Sequence, residues 1–315
     1  MSEQTHMRES HMVKGGTIPG APGQAAYSLS RCEPSPIPVL IAVPHAGRSY
    51  PANLVERMRS PAEAALKLED RYVDLLAGTV ARETGAALLV AHAPRAMIDL
   101  NRAVEEMDWD MLRKGAPPGR SEQRVGRRAR SGLGLVPRRL PGIGELWKQR
   151  IEESDLEARI EGVHSPYHQS LADSLKQLRT RWGAALLLDM HSMPPLGPRS
   201  SGEPAPDFVI GDRFGATCDG ALCAAAFDEF SIQRRRAAHN RPYAGGYVLD
   251  RHGAPELGLH AMQLEICRST YLDSRLAEPG PQLDEITETL VALVRRLAGE
   301  VAALGRSSQL PLAAE

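Results

Sequence analysis

The chain has 315 residues, of which 42% are hydrophobic, and its formal net charge is -1. This length and composition allow one well-packed domain, and the near-neutral charge excludes a global basic field that would attract nucleic acid. The four cysteines include no CxxC pair and are few for a disulfide scaffold, which predicts a reducing, cytoplasmic compartment.

The N-terminal residues carry no pattern of a folded or membrane-bound element. The first 30 residues lack the apolar run of a signal peptide, and no segment approaches the roughly 20 apolar residues of a membrane span. We therefore expect a soluble protein without a membrane partner. Its predicted parts are a disordered arm over residues 1–36, a single domain over residues 37–305 and a tail over residues 306–315.

The first structured elements alternate between strand and helix. Val39–Val43 is a β-branched apolar run that predicts a buried strand. Helical spacing follows over Pro61–Thr84, with Gly85 as the stop. Ala86–Ala91 predicts a second buried strand. This strand–helix–strand order favours a largely parallel sheet with helices on both faces.

Periodicity fails over residues 112–144, where glycine and proline accumulate and seven arginines lie between residues 120 and 139. This stretch predicts a basic loop insertion, either a cover over an active site or a disordered surface segment. Binding of nucleic acid through the loop is a third reading. Because no aromatic residues alternate with the arginines for base stacking, we expect no nucleic-acid partner.

The second half of the chain contains further helical and strand patterns. Helices are predicted over Glu145–Ile160, Pro166–Trp182 and Leu283–Ala303. Strands are predicted over Ala184–Met190, Asp207–Gly211, Ala244–Leu249 and His260–Ile266. The whole order is typical of an α/β protein.

Polar side chains stand at or near the ends of three apolar strands, namely His45, His191 and Glu265. Side chains at the carboxyl ends of strands in open α/β sheets converge on ligands. Two such histidines are natural zinc ligands, and a hydrolytic zinc site needs a third ligand. Asp70 is the first candidate and Asp74 the second. The alternative is that both histidines are hydrogen-bonded structural residues.

A second constellation runs from Arg95 to Arg102. Arginine recognises carboxylates with two parallel hydrogen bonds, and Asn101 adds an amide between the two arginines. The segment therefore predicts a clamp for a substrate carboxylate. A structural salt-bridge network with Asp99 is the alternative, and a metal-free carboxylate-binding protein would need only this clamp.

Glu265 lies in a predicted strand that is otherwise built of Met, Leu and Ile. Burial in such a strand raises the pKa of a carboxyl group, which suits a general base that takes a proton from water and passes it to a leaving nitrogen. The alternative is a buried glutamate paired with Arg268 or another arginine.

Two weaker segments add candidates for substrate binding. The glycine-rich turn that contains Tyr243, Gly245 and Gly246 could close over a small ligand, although a plain β-turn has the same composition. His168, at the start of a predicted helix, is a further substrate-binding candidate, with a structural role as its alternative.

Together these residues resemble the N-formylglutamate amidohydrolase family, which is similar to zinc carboxypeptidases and aspartoacylases. The resemblance runs from about residue 37 to residue 273. The matching segments are Pro44–Arg48, Asp70–Asp74, Arg95–Arg102, Pro166–His168, Leu188–Pro194, Gly211–Gly215, Asn240–Tyr247 and Gln263–Arg268.

The resemblance implies a three-layer α/β/α sandwich with a mixed, mostly parallel sheet, as in zinc exopeptidases. It implies that zinc is held by His45, Asp70 and His191. Glu265 would act as general base and acid, and Arg95 would polarise the scissile carbonyl. Asn101 and Arg102 would then grip the substrate carboxylate.

The implied activity is zinc-dependent hydrolysis of the amide of an N-formyl or other N-acyl amino acid, such as N-formyl-L-glutamate. A related zinc amidase or carboxypeptidase-like hydrolase with another N-acyl substrate is the alternative. The expected partner is a small N-acyl amino acid, and the sequence leaves a homo-oligomer open.

Overall fold

The computed structural model describes residues 10–116, 126–197 and 204–309. A mixed sheet forms the centre of this part of the chain, and its strand order is β1-β2-β4-β3-β7-β10-β8-β9. The strands are β1 (Ser10–Gly15), β2 (Tyr27–Cys32), β3 (Val39–Val43), β4 (Ala87–Ala91), β7 (Ala185–Met193), β8 (Phe208–Gly211), β9 (Ala237–His239) and β10 (Leu259–Cys267). A small hairpin of β5 (Arg139–Leu140) and β6 (Gly144–Glu145) lies outside this sheet.

The four middle strands, β4, β3, β7 and β10, run parallel to one another. At one side β2 joins β4 antiparallel and β1 joins β2 antiparallel. At the other side β8 is antiparallel to β10 and parallel to β9. The parallel centre aligns the carboxyl ends of β3, β7 and β10 along one edge.

Helices cover both faces of the sheet, which confirms the expected layered α/β/α fold with a mixed, mostly parallel sheet. The helices are α1 (Ala52–Arg57), α2 (Pro61–Leu68), α3 (Val73–Thr84), α4 (Arg127–Arg130), α5 (Glu153–Arg159), α6 (Ser165–Trp182), α7 (Gly220–Ile232), α8 (Tyr247–His252) and α9 (Leu283–Gln309). A π-helical turn over Ile160–His164 joins α5 to α6.

Alternate residues of each central strand point to opposite faces of the sheet, and each face has its own hydrophobic core. In β7, Ala185 and Leu187 pack with α6, whereas Leu186 and Leu188 pack with α3, α7 and α9. Side chains of a strand alternate between faces, so a strand covered on both faces is apolar throughout. This is why the central strands are continuous apolar runs in the sequence.

The prediction of a disordered arm over residues 1–36 is wrong for residues 10–36, and residues 1–9 lie outside the described part. This segment supplies β1 and β2, and Tyr27 and Leu29 are buried against the sheet. Strand pairing with β4 stabilises it. Its glycine-rich composition concealed a strand pattern that is only a few residues long.

Two helix predictions need correction. The helix predicted over Pro61–Thr84 is broken into α2 and α3, because Tyr72 adopts a left-handed conformation with φ 59°. The helix predicted over Glu145–Ile160 begins only at Glu153, after the β6 hairpin strand. In both segments the helical spacing of apolar residues did not show where the backbone leaves the helical conformation.

Two further boundaries differ from the sequence predictions. Residues predicted as the strand Ala244–Leu249 instead form a turn and the start of α8, with Gly246 as the N-cap. The last helix continues to Gln309, beyond the predicted end of the domain at residue 305. Residues 310–315 of the predicted tail lie outside the described range. No helix among the described residues is long and apolar enough to cross a membrane.

The described part of the basic segment is packed onto the domain. Leu135 and Val136 are completely buried, and the Leu135 carbonyl accepts a hydrogen bond from Asp99 N at 2.7 Å. Residues 117–125 of the predicted loop insertion lie outside the described residues. Residues 126–144 are therefore part of the core-forming structure rather than a detached surface insertion.

Candidate active site

Three atoms that could serve as metal ligands converge at the carboxyl edge of the sheet. The Nδ1 atoms of His45 and His191 lie 3.1 Å apart. A carboxylate oxygen of Asp70 lies 3.0 Å from His191 Nδ1 and 3.5 Å from His45 Nδ1. All three residues are at most 3% exposed. Nitrogen and carboxylate oxygen atoms in such an arrangement can hold one metal ion.

Three different elements bring these side chains together. His45 follows β3, and His191 lies within β7, which runs parallel to β3. Asp70 lies in the break between α2 and α3, where its backbone N–H donates to the His45 carbonyl at 2.9 Å. The left-handed Tyr72 creates this break. The interruption of the predicted helix therefore places the Asp70 carboxylate over the strand ends.

A further carboxylate lies behind each histidine. His45 Nε2 lies 2.7 Å from Asp99 Oδ1, and His191 Nε2 lies 2.7 Å from Asp189 Oδ2. A carboxylate at Nε2 favours a proton on that nitrogen, so Nδ1 is the ring nitrogen that a metal ion would bind. The histidines are thus oriented as metal-binding histidines commonly are.

Burial and neighbouring charges determine the protonation of these carboxylates. Burial would raise the pKa of Asp70, but hydrogen bonds from His191 and His45 hold it well below its usual range. Burial also opposes ionisation of Asp99, yet Arg95 and His45 hold the pKa of Asp99 well below its usual range. Both carboxylates are therefore ionised at neutral pH, as metal coordination requires.

The two aspartates that the sequence left open as third ligand have different surroundings. Asp70 faces the two histidines. Asp74 lies one helical turn further along and pairs with Arg48 through both carboxylate oxygens, at 3.0 and 2.6 Å. Because Asp74 is engaged with Arg48 away from the two Nδ1 atoms, the geometry favours Asp70.

Glu265 lies beside this cluster. In the parallel pairing of β10 with β7 it stands opposite His191, and its carboxylate accepts a hydrogen bond from Gln263 Nε2 at 2.9 Å. Arg268, the partner considered from sequence, donates instead to Ser192 Oγ at 3.0 Å and to backbone carbonyls. Burial raises the pKa of Glu265 to about 7, a value suited to proton transfer near neutral pH.

Arg95 lies between Asp99 and the cavity. Its Nε and one terminal nitrogen lie 3.0 and 2.9 Å from Asp99 Oδ2, so the salt bridge with Asp99 is present. Arg95 also borders the cavity described below. Asp99 therefore connects Arg95 to His45, through one carboxylate oxygen each.

Arg102 is a buried guanidinium that has backbone carbonyls as partners. It donates to the Leu133 carbonyl at 3.0 Å and to the Asn101 carbonyl at 2.5 Å, and only 2% of the residue is exposed. The Asn101 side chain accepts from Val248 N at 3.0 Å and donates to Gln263 at 3.3 Å. Asn101 is thus held in place by the protein, and within the described part of the chain Arg102 has further N–H donors that a ligand could use.

A cavity of about 200 Å³ joins these groups. Its lining is strongly polar and contains the metal-ligand candidates, Glu265 and several cations. The lining residues are His45, Lys67, Asp70, Arg95, Asn101, Arg102, Arg128, Leu133, His191, Ser192, Pro194, Tyr243, Gly245, Gln263, Glu265 and Arg268. A cavity of this size and lining can enclose one small anionic molecule beside the histidines.

The glycine-rich turn contributes to this cavity in part. Tyr243 and Gly245 line it, and Gly245 has a positive φ of 97°, which a residue with a Cβ rarely adopts. Gly246 does not line it, contrary to its predicted role in substrate binding. A Cβ on Gly246 would lie 2.6 Å from Asn101 Oδ1, so this glycine allows the close approach of Asn101.

His168, predicted to bind substrate, lies outside the lining of the cavity. His168 is fully buried, and its two ring nitrogens lie 3.0 Å from His252 Nε2 and 3.0 Å from the Leu100 carbonyl. Its ring also packs against His164 and Tyr247. It therefore supports the segment that leads to Arg102, and it does not reach the cavity.

The buried histidines predict a loss of stability in acid. Burial lowers the pKa of His252 to about 4 and lowers that of His168 well below its usual range. Unfolded histidines take up protons near pH 6.5, so the unfolded state binds more protons and stability falls as the pH decreases from about 6.5 towards 4. His252 accounts for up to about 3 kcal/mol of this loss.

Denaturant unfolding at pH 7 and pH 4.5 measures this effect. The decrease in unfolding free energy should be smaller in His252→Gln, which can hydrogen-bond to His168 but cannot take up the proton. Equal decreases in the wild type and His252→Gln would show that His252 is not the titrating group.

Several residues in and around the site were not singled out from the sequence. Gln263 and Asp189 had a usable signal, because they are polar residues two positions before Glu265 and His191 and share a strand face with them. Lys67 and Arg128 had no such sequence signal, because Lys67 lies on an ordinary helix and Arg128 lies among many loop arginines. Lys67 and Arg128 line the same cavity because the fold brings their two elements together there.

The parallel sheet, the buried cluster at its carboxyl edge and the polar cavity define an enzyme of the α/β class. The profile of the N-formylglutamate amidohydrolase family matches residues 37–272. The chain belongs to this family, as the sequence predicted, and is an amidohydrolase.

Known proteins of similar sequence and structure agree with this assignment. The N-formylglutamate deformylase of Pseudomonas aeruginosa is 29% identical over 278 residues, which cover 86% of this chain and 94% of the relative. A crystal structure of N-formylglutamate amidohydrolase from Ralstonia eutropha JMP134 has a TM-score of 0.80 and 29% identity, covering 89% of this chain and 99% of that one. The structure of gene product Atu2144 from Agrobacterium tumefaciens shares the fold, with a TM-score of 0.61 and 16% identity, over 89% of this chain and 94% of that one.

Proposed function

We propose that this amidohydrolase is a zinc-dependent deformylase that hydrolyses N-formyl-L-glutamate to formate and glutamate. The observation that carries the proposal is the convergence of His45, His191 and Asp70 beside the buried Glu265, in a small cavity rich in cations. The activity named for the Pseudomonas relatives supports the choice of substrate.

The residues present fit a zinc ion. Two imidazole nitrogens and one carboxylate are a ligand set typical of hydrolytic zinc, and they leave a coordination position for water. Asp99 and Asp189 hold both imidazoles with Nδ1 directed inwards. Zinc bound there would lower the pKa of a coordinated water and polarise the substrate carbonyl.

Glu265 is the residue that moves protons. Its carboxyl group lies on the cavity wall, and burial raises its pKa to about 7. It can therefore accept a proton from the attacking water and then donate that proton to the amide nitrogen as glutamate leaves. The hydrogen bond from Gln263 holds the carboxylate in place between these two steps.

Arg95 and Arg102 act on different parts of the substrate. Arg95, fixed by Asp99, presents a guanidinium to the cavity and stabilises the negative charge that develops on the formyl oxygen. Arg102 binds the α-carboxylate of the substrate, with the Asn101 amide beside it. Tyr243 and Gly245 form part of the wall that encloses the substrate.

Replacement of Arg102 tests this assignment. Arg102→Ala should raise KM for N-formyl-L-glutamate by roughly 10- to 100-fold, because a charge-assisted contact of about 1.5–3 kcal/mol present in both ground and transition states is lost. The variant should also lose the preference for a free α-carboxylate over the α-amide. Formate release from both substrates measures this preference.

Arg159→Ala is the matched control. Arg159 is equally buried, but it donates to the Met97 carbonyl and does not line the cavity. This control should lose stability and keep the preference. If Arg102→Ala keeps the preference as well, the α-carboxylate is bound elsewhere.

A further inference from the structure

The positively charged side chains that line the cavity differ in whether a nearby carboxylate neutralises them. Arg95 is paired with Asp99, and Arg268 lies 3.5 Å from Asp70 and donates to two backbone carbonyls. The remaining cations are Lys67, Arg102 and Arg128. Among residues 10–116, 126–197 and 204–309, no carboxylate lies within ion-pair distance of these three side chains. The cavity therefore contains more positive charge than its own carboxylates compensate.

One segment of the chain arranges all three of these cations. The helix α4 carries Arg128, and the Leu133 carbonyl accepts from Arg102 Nε at 3.0 Å. The Pro141 carbonyl accepts from Lys67 Nζ at 2.7 Å. Residues 126–141 therefore supply Arg128 itself and hold Arg102 and Lys67 through neutral backbone carbonyls.

Holding these charges together has an electrostatic cost. Burial lowers the pKa of Arg102, Asp99 partly offsets this, and the nearby charges of Arg95 and Arg128 lower it further. Like charges in a region of reduced dielectric repel each other until an anion binds between them. An anion that enters the cavity would relieve this repulsion.

The three cations also lie at different depths. Arg102 is 2% exposed and follows directly from the segment that contains Asp99, the partner of His45. Lys67 and Arg128 are exposed and line the mouth of the cavity. The cations can therefore bind two anionic groups, one close to the histidines and one further out.

We propose that Lys67 and Arg128 form a second anion subsite that binds the side-chain carboxylate of an N-acyl dicarboxylic amino acid. This inference rests on the proposed function, in which Arg102 binds the α-carboxylate. The α-carboxylate is separated from the scissile amide by fewer bonds than the side-chain carboxylate. The deep cation therefore matches the former, and the two cations at the mouth match the latter.

The subsite makes residues 126–141 a determinant of specificity. A site built to bind a charged group discriminates strongly against an analogue that lacks the charge, because the cations then stay uncompensated. N-formyl-L-glutamine has nearly the same shape as N-formyl-L-glutamate and lacks only the side-chain charge. The ratio of kcat/KM for these two substrates reports on the subsite.

Arg128→Ala and Lys67→Ala test the proposal from two separate elements. Each variant should lower the glutamate-to-glutamine ratio of kcat/KM by about tenfold, the scale of one charge-assisted contact at a partly exposed site. Because the α-carboxylate and the amide are common to both substrates, defects in the rest of the site cancel in this ratio. A ratio equal to that of the wild type in both variants would overturn the proposal.

Arg130→Ala is the matched control, because Arg130 lies on the same helix and does not line the cavity. It should leave the ratio unchanged. A tenfold decrease in Arg130→Ala would assign the effect to general charge and contradict a defined subsite. Failure of the proposed function has a separate signature, because the wild-type protein would then hydrolyse neither formyl substrate.

Discussion

His191→Ala is expected to purify without zinc and to hydrolyse N-formyl-L-glutamate at a rate close to background. Wild-type protein prepared without chelator should contain about one zinc per chain, the stoichiometry of a site with three protein ligands. Loss of His191 Nδ1 leaves two ligands from His45 and Asp70 and an unpaired Asp189 behind them. Elemental analysis of the purified variant measures the metal.

Asp70→Asn and Asp74→Asn form a matched pair for the same site. Both replacements remove one carboxylate charge from neighbouring turns of the chain, but only Asp70 faces the histidines. Asp70→Asn should lose zinc, and Asp74→Asn should keep it. Full zinc occupancy and activity in His191→Ala, or loss of zinc in Asp74→Asn alone, would contradict the ligand assignment.

Glu265→Gln should lower kcat by about 10²–10⁴-fold, the usual scale for the loss of a general acid–base group. The amide is nearly isosteric with the carboxyl group and can still pack beside Gln263, but it cannot take up a proton from water. Zinc content and KM should change little, because Glu265 acts as the transition state forms. Steady-state kinetics of formate release separate kcat from KM.

Glu69→Gln is the control for this variant. Glu69 is another buried glutamate close in sequence to Asp70, but it pairs with Arg71 and does not line the cavity. Its replacement should leave kcat within a few-fold of the wild type. A Glu265→Gln enzyme with nearly normal kcat would exclude the proposed proton transfer.

The central strands could be predicted from sequence because each one is covered on both faces. The prediction for Val39–Val43 has the observed bounds, and the predictions for β4, β7 and β10 differ from the structure by at most three residues at either end. Burial on both faces produces continuous apolar runs, which are the clearest sequence signal of a parallel sheet. The strands β1 and β2, the outermost pair on one side of the sheet, were missed.

The candidate site was predictable where a polar residue interrupts an apolar strand. His191 and Glu265 have this property, and the structure places them opposite each other in parallel strands. The choice between Asp70 and Asp74 could not be made from sequence, because it depends on the left-handed Tyr72 that breaks the helix. The placement of His168 away from the cavity could not be predicted, because a buried histidine and a substrate-binding one look alike in a sequence.

Long-range packing determines the rest of the site. Asp99 orients His45 from across a sequence separation of 54 residues, and Lys67 and Arg128 meet at one cavity from different helices. Aspartate, lysine and arginine side chains can have many different roles at a protein surface, so the residue type alone does not identify these partners. Such partnerships arise from the arrangement of the elements around the strand ends, which spacing along the chain does not encode.

Zinc-dependent formate release by the wild-type protein is the most direct test of the proposed function. The protein is stripped of metal with a chelator, and formate release from N-formyl-L-glutamate is followed as zinc is restored. We expect no turnover without metal and full recovery at about one zinc per chain, because His45, Asp70 and His191 form one site. Unchanged formate release by the metal-free protein would contradict the proposed mechanism.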